Sequence, residues 1–492
     1  MSKQTEGTQS GPAEAMDNDA FRHWSNLAAN WGADYREQIR EYPVRAQTAP
    51  GEIAAQIPDA PPESPEAMAD IFADFERIIL PGMTHWQHPR FFAYFPANAA
   101  PASVVAEYLV TALAAQCMLW QTSPAATELE TRMLDWLRQA VALREDFTGV
   151  IQDSASTATL AAVLTMRERA LQWAGNRSGL ASHPQVRVYA SDQAHSSIDR
   201  AIWISGIGAE NLVRIPVNGP LRGMDPAALE ASITGDRATG YVPAGIIACV
   251  GATGLGATDN VRAVCEVAQR HGVMTHVDAA WAGSAMICPE FRPLWDGIEL
   301  ADSVVFNPHK WLGAQFDCSA HFLKDPGDLL RTLAIHPDYL VTHGAAGITD
   351  YSEWSIPLGR RFRALKLWFL LRTYGLERLR EMIRQHVSWA RALAERIAVT
   401  PHFALLSPPM LSLFAFRHEP PGVTDLDAHN LALLQAINDD GRIYLTQAKV
   451  DGKSGLRFQV GQFETIEQDV ALAYDVIVEL ALSIAPSPGE LA

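Results

Sequence analysis

Cysteine is scarce in this chain. There are five (Cys117, Cys249, Cys265, Cys288 and Cys318), an odd number, widely spread, with no CxxC pair and no Cys/His zinc spacing. That excludes a disulfide framework and a structural zinc cluster, and points to the reduced thiols of a cytoplasmic protein. Basic residues are also in deficit. Against 56 Asp and Glu stand 39 Lys and Arg, for a formal net charge of −17. A general nucleic-acid or anionic-membrane binder is therefore not expected. No uncharged apolar run reaches the ~18 residues of a membrane span. Residues 1–19 are polar and lack the charged-then-apolar order of a secretory leader. His271, His276 and Asp278 do not share a favourable spacing for a metal, so no metal is expected.

What is present is an alternating α/β pattern. At 492 residues the chain can hold two or three domains around a substantial core. Residues 1–15 are rich in Ser, Gly, Thr and Gln and read as disordered. Phe21, Trp24, Leu27, Ala28 and Trp31 then recur at helical spacing, an apolar stripe that wants a partner surface. A Pro-rich linker and an aromatic loop, residues 88–101, follow. From 149 to 322, strand-like runs (186–189, 246–250, 273–277, 303–306) alternate with helical stretches (158–172, 260–271), which predicts a mainly parallel sheet covered by helices. Beyond 403 short strands and helices mix, as in a smaller α+β domain.

Two strand ends carry the chemistry. The apolar run 272–277 ends in Asp278, and the run 303–306 leads into Asn307-Pro308-His309-Lys310-Trp311. Open α/β sheets bind ligands at the carboxyl ends of their strands. An acid and an amine at one rim are what pyridoxal 5'-phosphate (PLP) requires. The amine condenses with its aldehyde, and the carboxylate pairs with the protonated pyridine nitrogen and keeps the ring an electron sink. Taken singly, such a lysine is commonly solvated and such an aspartate commonly caps a turn. Ser154-Ala155-Ser156-Thr157 opens a helix, a place for a phosphate or simply a Ser/Thr cap. His195 follows the strand near 189, where an imidazole can stack on a flat ring. Thr253 follows the strand near 250 in a glycine-containing loop that is no GxGxxG motif.

The Asn307-Pro308-His309-Lys310-Trp311 string, with His276-Val277-Asp278-Ala279-Ala280 upstream, resembles the signature of the group II PLP-dependent amino-acid decarboxylases, and among them the aromatic-L-amino-acid decarboxylases. The resemblance runs from about Phe21 to the C-terminal helix. It implies an α/β chain of the aminotransferase-like fold type I, with a mainly parallel seven-stranded sheet. The domains implied are an N-terminal helical segment exchanged across a homodimer (1–100), a large PLP-binding domain (101–385) and a small α+β domain (386–492). It implies a carboxy-lyase in which Lys310 carries PLP, Asp278 holds its ring nitrogen, His195 stacks on the ring, and Tyr339 returns a proton after CO₂ leaves. Ala155, Ser156, Thr253, Ala280, Asn307 and His309 would complete the cofactor site, with Gly359 and Arg360 brought in across the dimer. Tyr94, Phe95, Pro96 and Trp120 would shape a pocket for an aromatic amino acid. Ala97 departs from catechol-preferring relatives, which carry a Thr there that can contact a ring hydroxyl, and Trp281 stands where relatives commonly have Tyr. An aromatic aldehyde synthase, a decarboxylase of a non-aromatic amino acid and an inactive dimeric scaffold are the rival readings.

Overall fold

A computed structural model describes residues 16–335 and 348–485. The expected disorder of residues 1–15 and the lid residue Tyr339 lie outside these.

Seven strands form the central sheet: β1 (Thr148–Gln152), β2 (Val186–Ser191), β3 (Leu212–Ile215), β4 (Val242–Cys249), β5 (Met274–Asp278), β6 (Ser303–Phe306) and β7 (Ser319–Leu323). Their spatial order is β1-β7-β6-β5-β4-β2-β3. Only β7 runs against its neighbours, and every other adjacent pair is parallel. Helices cover both faces, which is why the central strands are apolar almost without interruption. All residues of β5, β6 and β7 are buried. Register places Cys249 opposite Asp278, and Asp278 opposite Val305, so the ends of β4, β5 and β6 form one rim. Asn307 to Lys310 leave that rim in a tight turn, closed by Lys310 N–H donating to the Asn307 carbonyl at 2.9 Å.

A second sheet follows, from β8 (Phe403–Met410), β9 (Leu413–His418), β10 (Thr446–Val450) and β11 (Lys453–Gln459), all antiparallel. The helix Ala364–Val399 joins the two halves and bends at Gly375, whose φ of 66° is left-handed. Its Leu379, Ile383 and Val387 pack into the large core, while Ala390, Leu393, Ala394 and Ile397 pack into the small one. The expected boundary at 385/386 thus lies within the helical segment that follows Gly375, where its buried face changes core.

The N-terminal helix Asn18–Gln38 is capped by Asp17 and buries no residue fully. Trp24 stacks on Phe72, and Trp31 meets Phe75 edge-on. Arg36 reaches the small domain through Glu464 at 2.7 Å. The helix Pro101–Leu113 leaves Val105, Tyr108 and Leu113 more than half exposed. Among the described residues no helix is long and apolar enough to cross a membrane, and no cluster of three metal-ligating side chains occurs.

Candidate active site

The rim of β4, β5 and β6 opens into a cavity of about 180 Å³, lined by Asp278 and Lys310 together. Ala155, Ser156, His195, Thr253, Ala280, Asn307 and His309 line it too, so nine of the expected residues meet in one place.

Lys310 comes off the turn with its backbone fixed from outside. Asn98 Nδ2 donates to the Lys310 carbonyl at 2.7 Å and to the Gly461 carbonyl at 2.8 Å. Asn98 Oδ1 accepts from Phe463 N–H at 2.8 Å, and Asn98 N–H donates to the His309 carbonyl at 2.7 Å. Loss of hydration lowers the Lys310 amine from its ordinary range. Asp278 opposes that shift and Arg457 adds to it. A lysine with a lowered pKa presents more of the neutral, nucleophilic amine. Asp278 is buried, and its Oδ1 accepts the Ala280 N–H at 3.0 Å.

At the other end of the cavity the helix Ala155–Ala170 begins. Its cap, Ser154, uses its hydroxyl on Thr157 N–H at 3.2 Å and its carbonyl on Ala158 N–H. The amides of Ala155 and Ser156 are not taken by this cap and sit at the positive end of the helix dipole. His309 Nδ1 accepts Cys318 N–H at 2.9 Å, and burial, with Lys310 and Lys366 adding to it, pushes the ring down to about 3. It is therefore neutral, with Nε2–H as its donor. Ser319 Oγ donates to Asn307 Oδ1 at 2.5 Å and orients that amide.

His195 stands on the open side. Ser197 N–H donates to its Nδ1 at 3.1 Å, which assigns the neutral ring's proton to Nε2. Loss of hydration lowers its pKa, Asp278 raises it and Lys310 lowers it, so it feels both charges of the cavity. Gly251 forms one wall at φ +79°, where an added Cβ would fall 2.6 Å from Ala282 Cβ and 3.0 Å from Trp281. Cys249 lines the cavity beside Asp278, a position readable only from strand register. Sequence reasoning also missed Asn98 and Arg457.

The expected pocket-wall residues lie elsewhere in the single chain. Phe95 is core, stacked on Trp281 at 4.8 Å and edge-on to Trp311 at 5.3 Å, because those two buried indoles offer it a fully apolar seat. Pro96 beside it is buried, while Tyr94 is exposed and stacks on Trp86. Trp120 borders a different cavity, of about 740 Å³, and its Nε1 donates to Glu128. Gly359 lines a third hollow with Gln116. Arg360, expected to bind substrate, is instead engaged within its own chain. It is buried, donates through both terminal nitrogens to Glu130 at 2.6 and 3.1 Å, and bonds the Ile151 carbonyl at 2.8 Å.

A half-buried lysine and a buried carboxylate in one cavity, with a helix N-terminus and a neutral imidazole donor also lining it, fit an aldehyde-bearing pyridine phosphate. Together with the sheet order, this defines a PLP-dependent enzyme of fold type I. The model of the pyridoxal-dependent decarboxylase conserved domain matches residues 50–419. Phenylacetaldehyde synthase of Arabidopsis thaliana is 37% identical over 477 residues, covering 95% of this chain and 96% of that protein. Tyrosine decarboxylase 1 of Narcissus pseudonarcissus is 36% identical, covering 95% and 94%. The solved Catharanthus roseus tryptophan decarboxylase in complex with L-tryptophan superposes with a TM-score of 0.90 at 37% identity, covering 96% of this chain and 100% of that one. The chain belongs to the pyridoxal-dependent decarboxylase family.

Proposed function

We propose that this enzyme decarboxylates an aromatic L-amino acid (Trp, Tyr, Phe or DOPA) to the corresponding amine and CO₂. The observation that carries this is near full-length similarity to enzymes named for aromatic substrates, combined with a Lys310–Asp278 cavity at the sheet rim. When bound, PLP supplies the electron sink for the charge left at Cα when CO₂ departs. Lys310 would hold the cofactor through its amine. Asp278 keeps the ring nitrogen protonated. The Ala155 and Ser156 amides and His309 Nε2–H receive the phosphate, with Asn307, Ala280 and Thr253 closing the cavity around them. His195, which lines the same cavity, would stack on the ring, and Tyr339 would return a proton to Cα.

The reading extends to a cytoplasmic homodimer, with 1–100 as the exchanged segment, 101–385 as the cofactor domain and 386–492 as the small domain. The exposed apolar side of the helix Pro101–Leu113 supports burial against a second copy. In that dimer Gly359 approaches the partner's cavity, and Tyr94 and Trp120 belong to the substrate wall. A second reading, an aromatic aldehyde synthase, is favoured by the similarity to phenylacetaldehyde synthase. Offering Trp, Tyr, Phe, DOPA and Glu separately, with CO₂, amine, aldehyde, ammonia and peroxide measured, tests both. Amine without peroxide is the expected result. Equimolar aldehyde and peroxide would replace the first reading with the second, and CO₂ from Glu alone would remove both.

A further inference from the structure

The turn that carries Lys310 is gripped by residues 97–100, which run along it as an extended strap. Asn98 N–H donates to the His309 carbonyl at 2.7 Å, and Ala100 N–H donates to the Gly313 carbonyl at 2.8 Å, so the strap holds the turn on both sides of Lys310. Successive residues of an extended chain face opposite ways. The carbonyls of Ala97 and Ala99 therefore face away from the turn, and each is met by a side chain. Gln87 Nε2 donates to Ala97 at 2.8 Å, and Arg36 Nη1 donates to Ala99 at 3.0 Å. Arg36 stands in the last turn of the helix Asn18–Gln38, where the helix dipole favours a cation. Its Nη2 donates to Glu464 at 2.7 Å. The side chains of this ion pair are 20% and 31% exposed, so solvent screens it and it adds little stability by itself. Its value is geometric, because one rigid guanidinium plane fixes Ala99 relative to Glu464. The contacts close on themselves: Phe463, next to Glu464, donates its N–H to the Oδ1 of Asn98, next to Ala99. Arg40, just past the same helix, docks differently. Its side chain donates to both carboxylate oxygens of Asp469 and to the Glu464 carbonyl, and not to the strap.

We infer that Arg36 is a positioning residue for Lys310, acting through the strap. The inference rests on the functional reading above. Without its bond to Ala99 the strap is held on its outer side by Gln87 alone, and the turn 309–313 gains room to shift. A small misplacement of the amine costs rate while the substrate's own contacts stay as they were. The N-terminal helix thus belongs to the support of the reacting lysine.

The test uses PLP-saturated enzyme and three variants, Arg36→Met, Arg36→Lys and Arg40→Met. Arg36→Met should lower kcat for CO₂ release from the preferred aromatic amino acid by roughly fivefold to thirtyfold and leave KM within about twofold. Hydrogen exchange of the peptide 96–101 should speed up about tenfold, since the hold on its Asn98 and Ala100 amides slackens. Arg36→Lys, a point charge without the fork, should recover part of both. Arg40→Met loosens the same end of the helix without touching the strap. It should lower the melting temperature and leave kcat and the exchange of that peptide within about twofold of wild type. Unchanged kcat in Arg36→Met would overturn the inference. So would an equal loss of kcat in Arg40→Met, which would make both arginines plain helix anchors, and so would a loss of kcat with no change in exchange. If Arg36→Met does not fold, Arg36→Lys carries the test, and wild-type kcat and exchange in it refute the inference. Absence of CO₂ release from every aromatic amino acid overturns the functional reading, and the exchange rates then judge the strap alone. Release with unchanged kcat in both Arg36 variants overturns only the role of Arg36.

Discussion

Removing Arg360 should cost stability, not substrate affinity. Glu130 and Arg360 are each under 5% exposed. Glu130 Oε1 accepts Arg360 Nη2 at 2.6 Å and Ile151 N–H at 2.9 Å, and its Oε2 accepts Arg360 Nη1 at 3.1 Å. Arg360 Nη2 in turn donates to the Ile151 carbonyl. Arg360→Met leaves a buried carboxylate with one amide for company, and Glu130→Leu leaves a buried guanidinium with one carbonyl. Each single change should cost about 3–5 kcal/mol, the usual penalty for stranding one charge of a buried pair. The double variant strands no charge. It orphans only the outward groups of Ile151, which costs about 2–4 kcal/mol. Urea unfolding of the four proteins should therefore give a non-additivity of at least about 2 kcal/mol. Amino-acid affinity of the folded Arg360→Met enzyme should stay within about twofold of wild type, since surviving contacts are unchanged. Stability within about 1 kcal/mol of wild type, together with a large loss of substrate affinity, would refute this account and restore Arg360 to the substrate.

Three further outcomes follow from the same structure. Burial holds His88, His309, His321 and His386 at about 3, against 6.5 when solvated. Below pH 6.5 the unfolded chain binds protons that the folded chain refuses, so stability is full above that pH and falls toward pH 3, by about 1.4 kcal/mol per unit per histidine. Urea midpoints from pH 7.5 to 5 measure this, and a flat profile contradicts it. His321→Met should flatten the slope by one proton and stabilise the enzyme at pH 5.5, because both ring nitrogens lack a protein partner. Asn98→Ala strands the Gly461 carbonyl and the Phe463 amide and leaves the Lys310 carbonyl only the Gly313 N–H at 3.3 Å. It should lower kcat by about tenfold to a hundredfold, and an unchanged kcat would dismiss Asn98 as a positioning residue. Tyr339→Phe should move product from amine toward aldehyde, and unaltered amine output would relieve Tyr339 of proton return.

The sequence made the cofactor end of the site legible because strand and ligand signals coincide there. A run of apolar residues ending in Asp278, and another ending at Lys310, state both the sheet and its rim. His195, Ser156 and His309 could be attached only through the family resemblance, since each has an ordinary alternative. Phe95 is harder to read. An aromatic cluster in a Pro-rich loop reads as a pocket wall, but two buried indoles, Trp281 and Trp311, draw the ring inward. Arg360 follows the same logic. A basic helix start needs an acidic partner, and that partner is Glu130, on a helix distant in sequence. Asn98 and Arg457 have no local signature, because their meaning lies in contacts with chain segments more than two hundred residues away.

Those two residues explain how the large and small domains together build one site. Lys310 follows a strand of the large domain, but its carbonyl is held by Asn98, which is held in turn by Gly461 and Phe463 after β11. The Thr253 loop follows a strand of the large domain too, yet the carbonyls of Thr253 and Gly254 are held by Arg457 of β11. Phe92, near the start of the aromatic loop, stacks on Phe458 at 4.5 Å, so the loop carrying Asn98 is seated on the small domain. The three hydrogen-bonded ties converge on a single strand and the turn that follows it. Rotation of the small domain would therefore move the lysine turn and the cavity wall together. Geometry at Lys310 is thus a property of the packing of β11, not of the central sheet alone.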